Sequence, residues 1–137
     1  MASKILMMLS AGIVLVLGVI HLAYTFSGSS LLPRDAALQA AMSQAHLTIT
    51  NETTVARAWV GFNFSHSMGL ILFALIFGYL ALYHAKLLFD SAYLLAVGFA
   101  MLAGFLVLAK LYWFSIPFAG IAIALLCYVA SVVAARA

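Results

Sequence analysis

The hydrophobic pattern of this chain consists of long apolar runs separated by short polar stretches. Each run is unbroken rather than alternating, which is typical of helices that cross a membrane and not of barrel strands. A helix satisfies its own backbone hydrogen bonds in hydrocarbon, and about 20 apolar residues cross a layer of roughly 30 Å. Four segments of the sequence meet this requirement, at about residues 5–26, 59–84, 91–109 and 116–135.

A polar loop, residues 27–58, separates the first two runs. Its opening Ser-Gly-Ser-Ser sequence, residues 27–30, predicts a turn. Pro33 and Asp35 then suit the first turn of a helix, because proline lacks the donor that this turn leaves unused and a carboxylate complements the helix dipole. Apolar residues recur after them at helical spacing, at Leu38, Ala41, Met42 and Ala45. We therefore predict a short amphipathic helix over residues 33–45.

These elements predict an all-α fold: a four-helix transmembrane bundle with a short amphipathic helix in the loop between helices 1 and 2. All 137 residues belong to one membrane domain in this interpretation. Asn51, Thr53 or Thr54 is expected to cap an early start of the second helix, because their side chains accept hydrogen bonds from free helical amides.

Composition supports a membrane protein independently of the pattern. Hydrophobic residues make up 68% of the chain and charged residues 7%, and the mean hydropathy is +1.24. That much apolar surface cannot be buried in one soluble core of this length. The net charge of +3 comes from basic residues spread along the whole chain, so nucleic-acid binding has no support.

The first apolar run is longer than the apolar core of a signal peptide, about 7 to 15 residues, so we expect it to be retained as a span.

The distribution of basic residues bears on the orientation of the chain in the membrane. Four spans place both termini on one side. The basic residues then divide evenly, with Lys4, Lys86 and Arg136 beside the termini and Arg34, Arg57 and Lys110 opposite. Because Asp35 and Glu52 offset the second group, we predict cytoplasmic termini in a cell inner (plasma) membrane.

Polar side chains interrupt the second apolar run near its start. Trp59, Asn63, His66 and Ser67 share one helical face, because they follow at i, i+4, i+7 and i+8. At 1.5 Å per residue, His66 lies roughly 10 Å below the surface of the membrane and His21 of the first run roughly 8 Å below the same surface. Antiparallel helices would bring the two rings together. The expected site contains His21, Tyr24, Trp59, Asn63, His66 and Ser67.

Three interpretations of this set remain open. The first is structural: the polar groups hydrogen-bond to neighbouring helices and fix their register. In the second, His21 and His66 are paired ligands for a haem or a transition metal, although no metal-binding spacing accompanies them. In the third, the polar groups form one end of a pocket for a lipid, a quinone or another apolar molecule. The loop helix and three apolar side chains would close over that pocket, namely Phe62, Phe64 and Met68.

Several segments of the chain resemble a known group of proteins. The segments are residues 58–69, with Gly-Phe-Asn-Phe-Ser-His-Ser at 61–67, the Gly-Val-Ile-His sequence that ends at His21, and the Leu-Pro-Arg-Asp-Ala-Ala-Leu loop that begins at Leu32. They resemble a group of small uncharacterised bacterial four-helix integral membrane proteins. The resemblance implies a four-span inner-membrane protein with a polar loop after the first helix, and it carries no activity over to this chain.

The polar set predicts binding rather than catalysis. The acidic residues, Asp35, Glu52 and Asp90, lie outside the spans, so the intramembrane histidines have no carboxylate partner. The leading hypothesis is a protein that binds a small apolar ligand of the lipid or quinone type, or an accessory subunit beside a membrane-protein partner. The alternatives are a bis-histidine haem or metal electron carrier and a small transporter or channel made of several copies.

Overall fold

The computed structural model describes residues 1–27 and 30–137. The predicted turn at residues 27–30 includes Gly28 and Ser29, which lie outside the described residues. The elements in chain order are α1 (Ala2–Phe26), α2 (Ala36–Gln44), β1 (His46–Leu47), β2 (Thr50–Thr54), α3 (Val55–Tyr83), α4 (Ala85–Asp90), α5 (Ala92–Tyr112) and α6 (Ser115–Arg136).

Within the described residues, four helices are long and apolar enough to cross a membrane: α1, α3, α5 and α6. The predicted all-α class with four spans is confirmed, and the chain is a multi-pass membrane protein. The helix boundaries differ most from the apolar runs at the second span, where α3 begins at Val55 rather than at residue 59, which confirms the expected early start of this helix. The Thr54 hydroxyl accepts a hydrogen bond from the Arg57 amide (3.4 Å), so the helix has a capping group before its apolar run begins.

The chain forms two compact units. Unit 1 comprises Met1–Leu17 and Leu70–Ala137, and unit 2 comprises Gly18–Gly69. Helices α1 and α3 therefore each contribute residues to both units. The interpretation of the chain as one membrane domain stays a prediction.

Unit 1 has an apolar interior made by parts of all four long helices. One buried cluster contains Met7 and Val14 of α1, Leu70, Phe73, Ala74, Phe77 and Ala81 of α3, Leu95 and Leu102 of α5, and Ile121, Ala124 and Tyr128 of α6. Lipid is as apolar as these side chains, so close packing rather than the removal of apolar surface from water holds such an interior together.

The tightest contact in this cluster involves a glycine that the sequence analysis did not single out. A Cβ at Gly98 would lie 2.5 Å from the Tyr128 hydroxyl oxygen and 2.6 Å from the Phe77 ring. The same hydroxyl donates a hydrogen bond to the Leu95 carbonyl (2.8 Å). Gly98 therefore lets α6 approach α5 closely enough for a buried tyrosine to bond to the α5 backbone.

Unit 2 contains a short hairpin that the sequence analysis did not predict. Strands β1 and β2 pair antiparallel, with His46 opposite Thr54 and Leu47 opposite Thr50. Before the hairpin, α2 begins at Ala36 rather than at Pro33, because the Asp35 carboxylate caps it by accepting from the amides of Ala37 and Leu38. The predicted apolar face of α2 is not buried: none of its residues is.

Candidate functional site in unit 2

Two helices of unit 2 supply the polar groups of the expected site. His21 lies on α1, and Asn63 and His66 lie on α3. His21 Nε2 donates a hydrogen bond to the Asn63 side-chain oxygen (3.1 Å). The His21 and His66 rings meet edge to face, with centroids 5.0 Å apart and an angle of 70° between planes. The structure thus brings together the two histidines that the depth comparison placed at matching levels.

Asn63 is the centre of a chain of hydrogen bonds. Its side-chain nitrogen donates to the Trp59 carbonyl (2.8 Å), and its backbone carbonyl accepts from the Ser67 hydroxyl (3.0 Å). Because the amide nitrogen is the donor to Trp59, the amide oxygen is the acceptor from His21, and His21 Nε2 must carry the proton. Asn63 is 7% exposed and Ser67 fully buried. These bonds hold the side-chain amide of Asn63 in one orientation.

The loop after α1 is joined to the same network. The Trp59 indole Nε1 donates to the Leu31 carbonyl (2.9 Å), which fixes the plane of the indole ring. On α1, the Thr25 hydroxyl donates to the His21 carbonyl (2.8 Å). The bonds from Leu31 through Trp59 and Asn63 to His21 therefore connect the loop, α3 and α1 within unit 2.

A pocket of about 170 Å³ lies beside this network. Three of the expected site residues line it: Tyr24, Trp59 and Asn63. His21, His66 and Ser67 are not among the lining residues. His21 is connected to the pocket through its hydrogen bond to Asn63. The other lining residues, which the sequence analysis missed, are Thr25, Leu31, Leu32 and Val60.

The residues expected to close the pocket do not do so. Phe62 and Met68 are 68% and 54% exposed, and the Phe64 ring packs instead against Phe26 at a centroid distance of 5.7 Å. No residue of α2 lines the pocket, so the expected closure by the loop helix was also wrong. Leu31 and Leu32, which precede α2 in the loop, line the pocket instead. The Trp59 indole bonds to the Leu31 carbonyl.

The histidine pair can be tested against metal chemistry by its geometry. Two imidazoles on opposite sides of a haem iron need about 6 Å between ring centroids, given metal–nitrogen bonds of about 2 Å. The observed 5.0 Å is too short, and His21 Nε2 is committed to Asn63. In the part of the chain that the structure describes, no group of three or more His, Cys, Asp or Glu side chains could hold a metal ion. The present arrangement does not fit an axial haem pair.

Comparisons with protein-family models, with curated proteins and with solved structures found no match to this chain. The resemblance to small bacterial four-helix membrane proteins therefore stays a prediction.

Proposed function

We propose that this multi-pass membrane protein binds a small apolar ligand of the lipid or quinone class in the pocket of unit 2. It acts in this proposal as a binding protein, or as the ligand-holding accessory subunit of a larger membrane assembly. The observation that carries the proposal is the pocket of about 170 Å³, which places the buried amide of Asn63 beside the rings of Tyr24 and Trp59.

The composition of the pocket supports binding. Ligand pockets have mostly apolar walls and a few polar groups that converge on one point. Here Leu31, Leu32 and Val60 are aliphatic, and Asn63 and Thr25 are the polar groups. An amide inside a membrane span is costly unless it is hydrogen-bonded, and the partners of Asn63 keep it in place while it faces the pocket.

Binding rather than catalysis follows from the position of the carboxylates. Asp35 caps α2, Glu52 lies in β2 and Asp90 ends α4, so each lies outside the four long helices. The histidines thus have no carboxylate within the spans to complete an acid–base pair. The partners in this proposal are the bilayer, the apolar ligand and either a membrane-protein partner or a second copy of the chain.

The proposed location is the inner (plasma) membrane of a bacterium, with both termini in the cytoplasm. Support comes from the basic residues on the side of the termini, Lys4, Lys86 and Arg136, and from the offsetting acidic residues in the loop after α1. Carboxy-terminal fusions to reporters that are active on only one side of the membrane test this orientation. A reporter that is active only outside the cytoplasm contradicts it.

Native mass spectrometry of the protein, extracted together with surrounding native lipid, tests the binding proposal. Wild type is expected to carry one retained molecule per chain, and Asn63→Leu is expected to lose it, because a side chain of nearly the same shape then has no hydrogen-bonding group to offer the ligand. Ser65→Leu is the matched control, since Ser65 is exposed on the same helix, does not line the pocket, and donates its hydroxyl hydrogen to the Phe62 carbonyl. Equal retention in Asn63→Leu and wild type rejects the proposal.

The same preparation distinguishes the haem and metal alternative. A Soret band that is lost in both His21→Ala and His66→Ala would replace the binding proposal with an electron-carrier function. Bound transition metal that is lost in the same two variants would do so as well.

A further inference from the structure

The volume of the unit 2 pocket indicates the size of the group that its lining residues can surround. A cavity of about 150 Å³ lined by aliphatic and aromatic side chains takes up one benzene molecule. The pocket beside Asn63 measures about 170 Å³. A single six-membered ring with a small substituent therefore fills the space between the lining side chains. A larger ligand extends out of the open side of the pocket, where Tyr24, Leu32 and Trp59 are 42–49% exposed, and makes fewer contacts there.

The walls of the pocket suit a flat molecule. Trp59 and Tyr24 contribute aromatic rings, and aromatic pairs favour offset or edge-to-face contacts. The bond from the indole nitrogen to the Leu31 carbonyl holds the Trp59 ring in one orientation before any ligand arrives. A flat ligand is thus met by a surface that needs no reordering, which favours binding.

The polar groups of the pocket have hydrogen-bonding capacity left for an oxygen atom. Asn63 uses one of its two amide hydrogens on Trp59 and one of two oxygen lone pairs on His21. The Thr25 hydroxyl has given its hydrogen to the His21 carbonyl, so it can only accept. A carbonyl on the ligand can accept from Asn63, and a hydroxyl can donate to Thr25 or to the Asn63 oxygen. A plain hydrocarbon leaves these groups unused.

We propose that the ligand is a single six-membered ring bearing a hydrogen-bonding oxygen, of the phenol, quinol or quinone class, rather than an acyl chain. This inference rests on the proposed binding function and specifies its ligand. The ring can be free, or it can be the head of a membrane lipid whose tail remains in the bilayer, and the recognised chemistry is the same in both cases.

Isothermal titration of the purified protein in synthetic lipid nanodiscs tests the class with simple probes. We expect p-cresol to bind at one molecule per chain. Toluene lacks the oxygen and is expected to bind about tenfold more weakly, as is typical for the loss of one hydrogen bond. The two other probes are 1-octanol, which replaces the ring by a chain, and 1-naphthol, which adds a second ring, and both are expected to bind more weakly than p-cresol.

Variants of the pocket separate site binding from partition into the lipid. Val60→Phe fills the pocket and is expected to abolish saturable p-cresol binding. Val19→Phe is the matched control, because Val19 is 49% exposed on α1 and does not line the pocket. Leu32→Ala enlarges the pocket and is expected to admit 1-naphthol. Melting curves confirm that each variant is folded, and 4-decylphenol shows whether a tail on the ring strengthens binding.

The outcomes distinguish this inference from the function on which it rests. If 1-octanol binds as tightly as p-cresol in wild type and is displaced by Val60→Phe, the ring class is overturned while ligand binding stands. If the molecule retained in native mass spectrometry is an acyl lipid, the ring class is likewise overturned and ligand binding stands. If no probe binds in a manner that depends on Val60 and no molecule is retained, both the inference and the proposed function fail.

Discussion

The interior of unit 1 is apolar apart from a few polar side chains such as Ser10 and Ser131, whereas the buried side chains of unit 2 are polar. Unit 1 buries a continuous set of aliphatic and aromatic side chains. In the described residues of unit 2, the buried side chains are those of Asn63 and Ser67. In lipid, the removal of apolar surface from water does not favour apolar side chains in the interior as it does in a soluble protein. Polar groups can therefore be buried in unit 2 where they are hydrogen-bonded to one another. The same two helices, α1 and α3, thus provide apolar packing in one unit and side chains that line a pocket in the other.

The largest expected effect is the loss of an aromatic ring from the interior of unit 1. Phe77 stacks on Phe73 at a centroid distance of 4.5 Å and is 5% exposed. Phe77→Ala is expected to lower the free energy of unfolding in detergent by about 3–5 kcal/mol, because the cavity forfeits packing contacts. Phe99→Ala, at a position that is 47% exposed, is the control and should change it little. Equal losses in both variants would show that unit 1 is not held by packing.

A methyl group added at Gly98 tests the same packing from the opposite direction. Gly98→Ala is expected to cost about 1–3 kcal/mol of unfolding free energy, because the new Cβ overlaps Tyr128 and Phe77. Gly104→Ala on the same helix meets nothing within 4 Å and should be neutral or slightly stabilising. Thermal unfolding in detergent compares the two, and a Gly98→Ala protein as stable as Gly104→Ala contradicts the close approach.

Two buried serines, one in each unit, allow the cost of removing a hydrogen-bonded hydroxyl to be compared with that of removing an unbonded one. Ser67 in unit 2 bonds to the Asn63 carbonyl, so Ser67→Ala is expected to cost about 0.6 kcal/mol. Ser10 in unit 1 is buried and its hydroxyl has no hydrogen-bond partner within residues 1–27 and 30–137. Ser10→Ala should therefore be neutral or stabilising by up to about 1 kcal/mol. A larger cost for Ser10→Ala than for Ser67→Ala in denaturant titrations would reverse the comparison.

The smallest effect is expected at a surface ion pair of unit 1. Lys86 bonds to Asp90 one helical turn away, and this hydrogen bond raises the pKa of Lys86 above its ordinary value. A raised lysine pKa stabilises the folded state at neutral pH, and the contribution is lost only as the pH rises through the raised pKa. Both side chains are largely in solvent, so Lys86→Gln should leave the melting temperature at pH 7 unchanged. A clear fall would show a role beyond the pair.

Much of the fold could be predicted because helices in lipid must be long and apolar. The four spans follow from unbroken hydrophobic runs. The meeting of His21 with His66 follows from their similar depths below the membrane surface, because a helix has a fixed rise per residue. The early start of α3 was also predicted, because the side chain of Thr54 can accept a hydrogen bond from a free helical amide. The hairpin of β1 and β2 was missed because strand pairing depends on contacts between separate segments.

The parts of the site that the sequence did not reveal depend on backbone positions and on helix rotation. Leu31 holds Trp59 through its carbonyl, a group that every residue has, so no side-chain pattern marks it. A helix that is apolar all round also gives no sign of which face is inward. Ala96, Ala100 and Gly104 of α5, which are spaced as a run of small residues, are exposed, while Gly98 on the same helix makes the tight contact.

The most direct test of the account is a solid-state NMR measurement of where a bound ring lies. The protein is reconstituted in bilayers with p-cresol labelled with ¹³C in the ring, and magnetisation transfer to the protein is recorded. The account predicts transfer to the Asn63 side-chain amide and to the Trp59 indole, with His21 Nε2 protonated. Transfer to the exposed side chain of Val19, with none to Asn63, would contradict it.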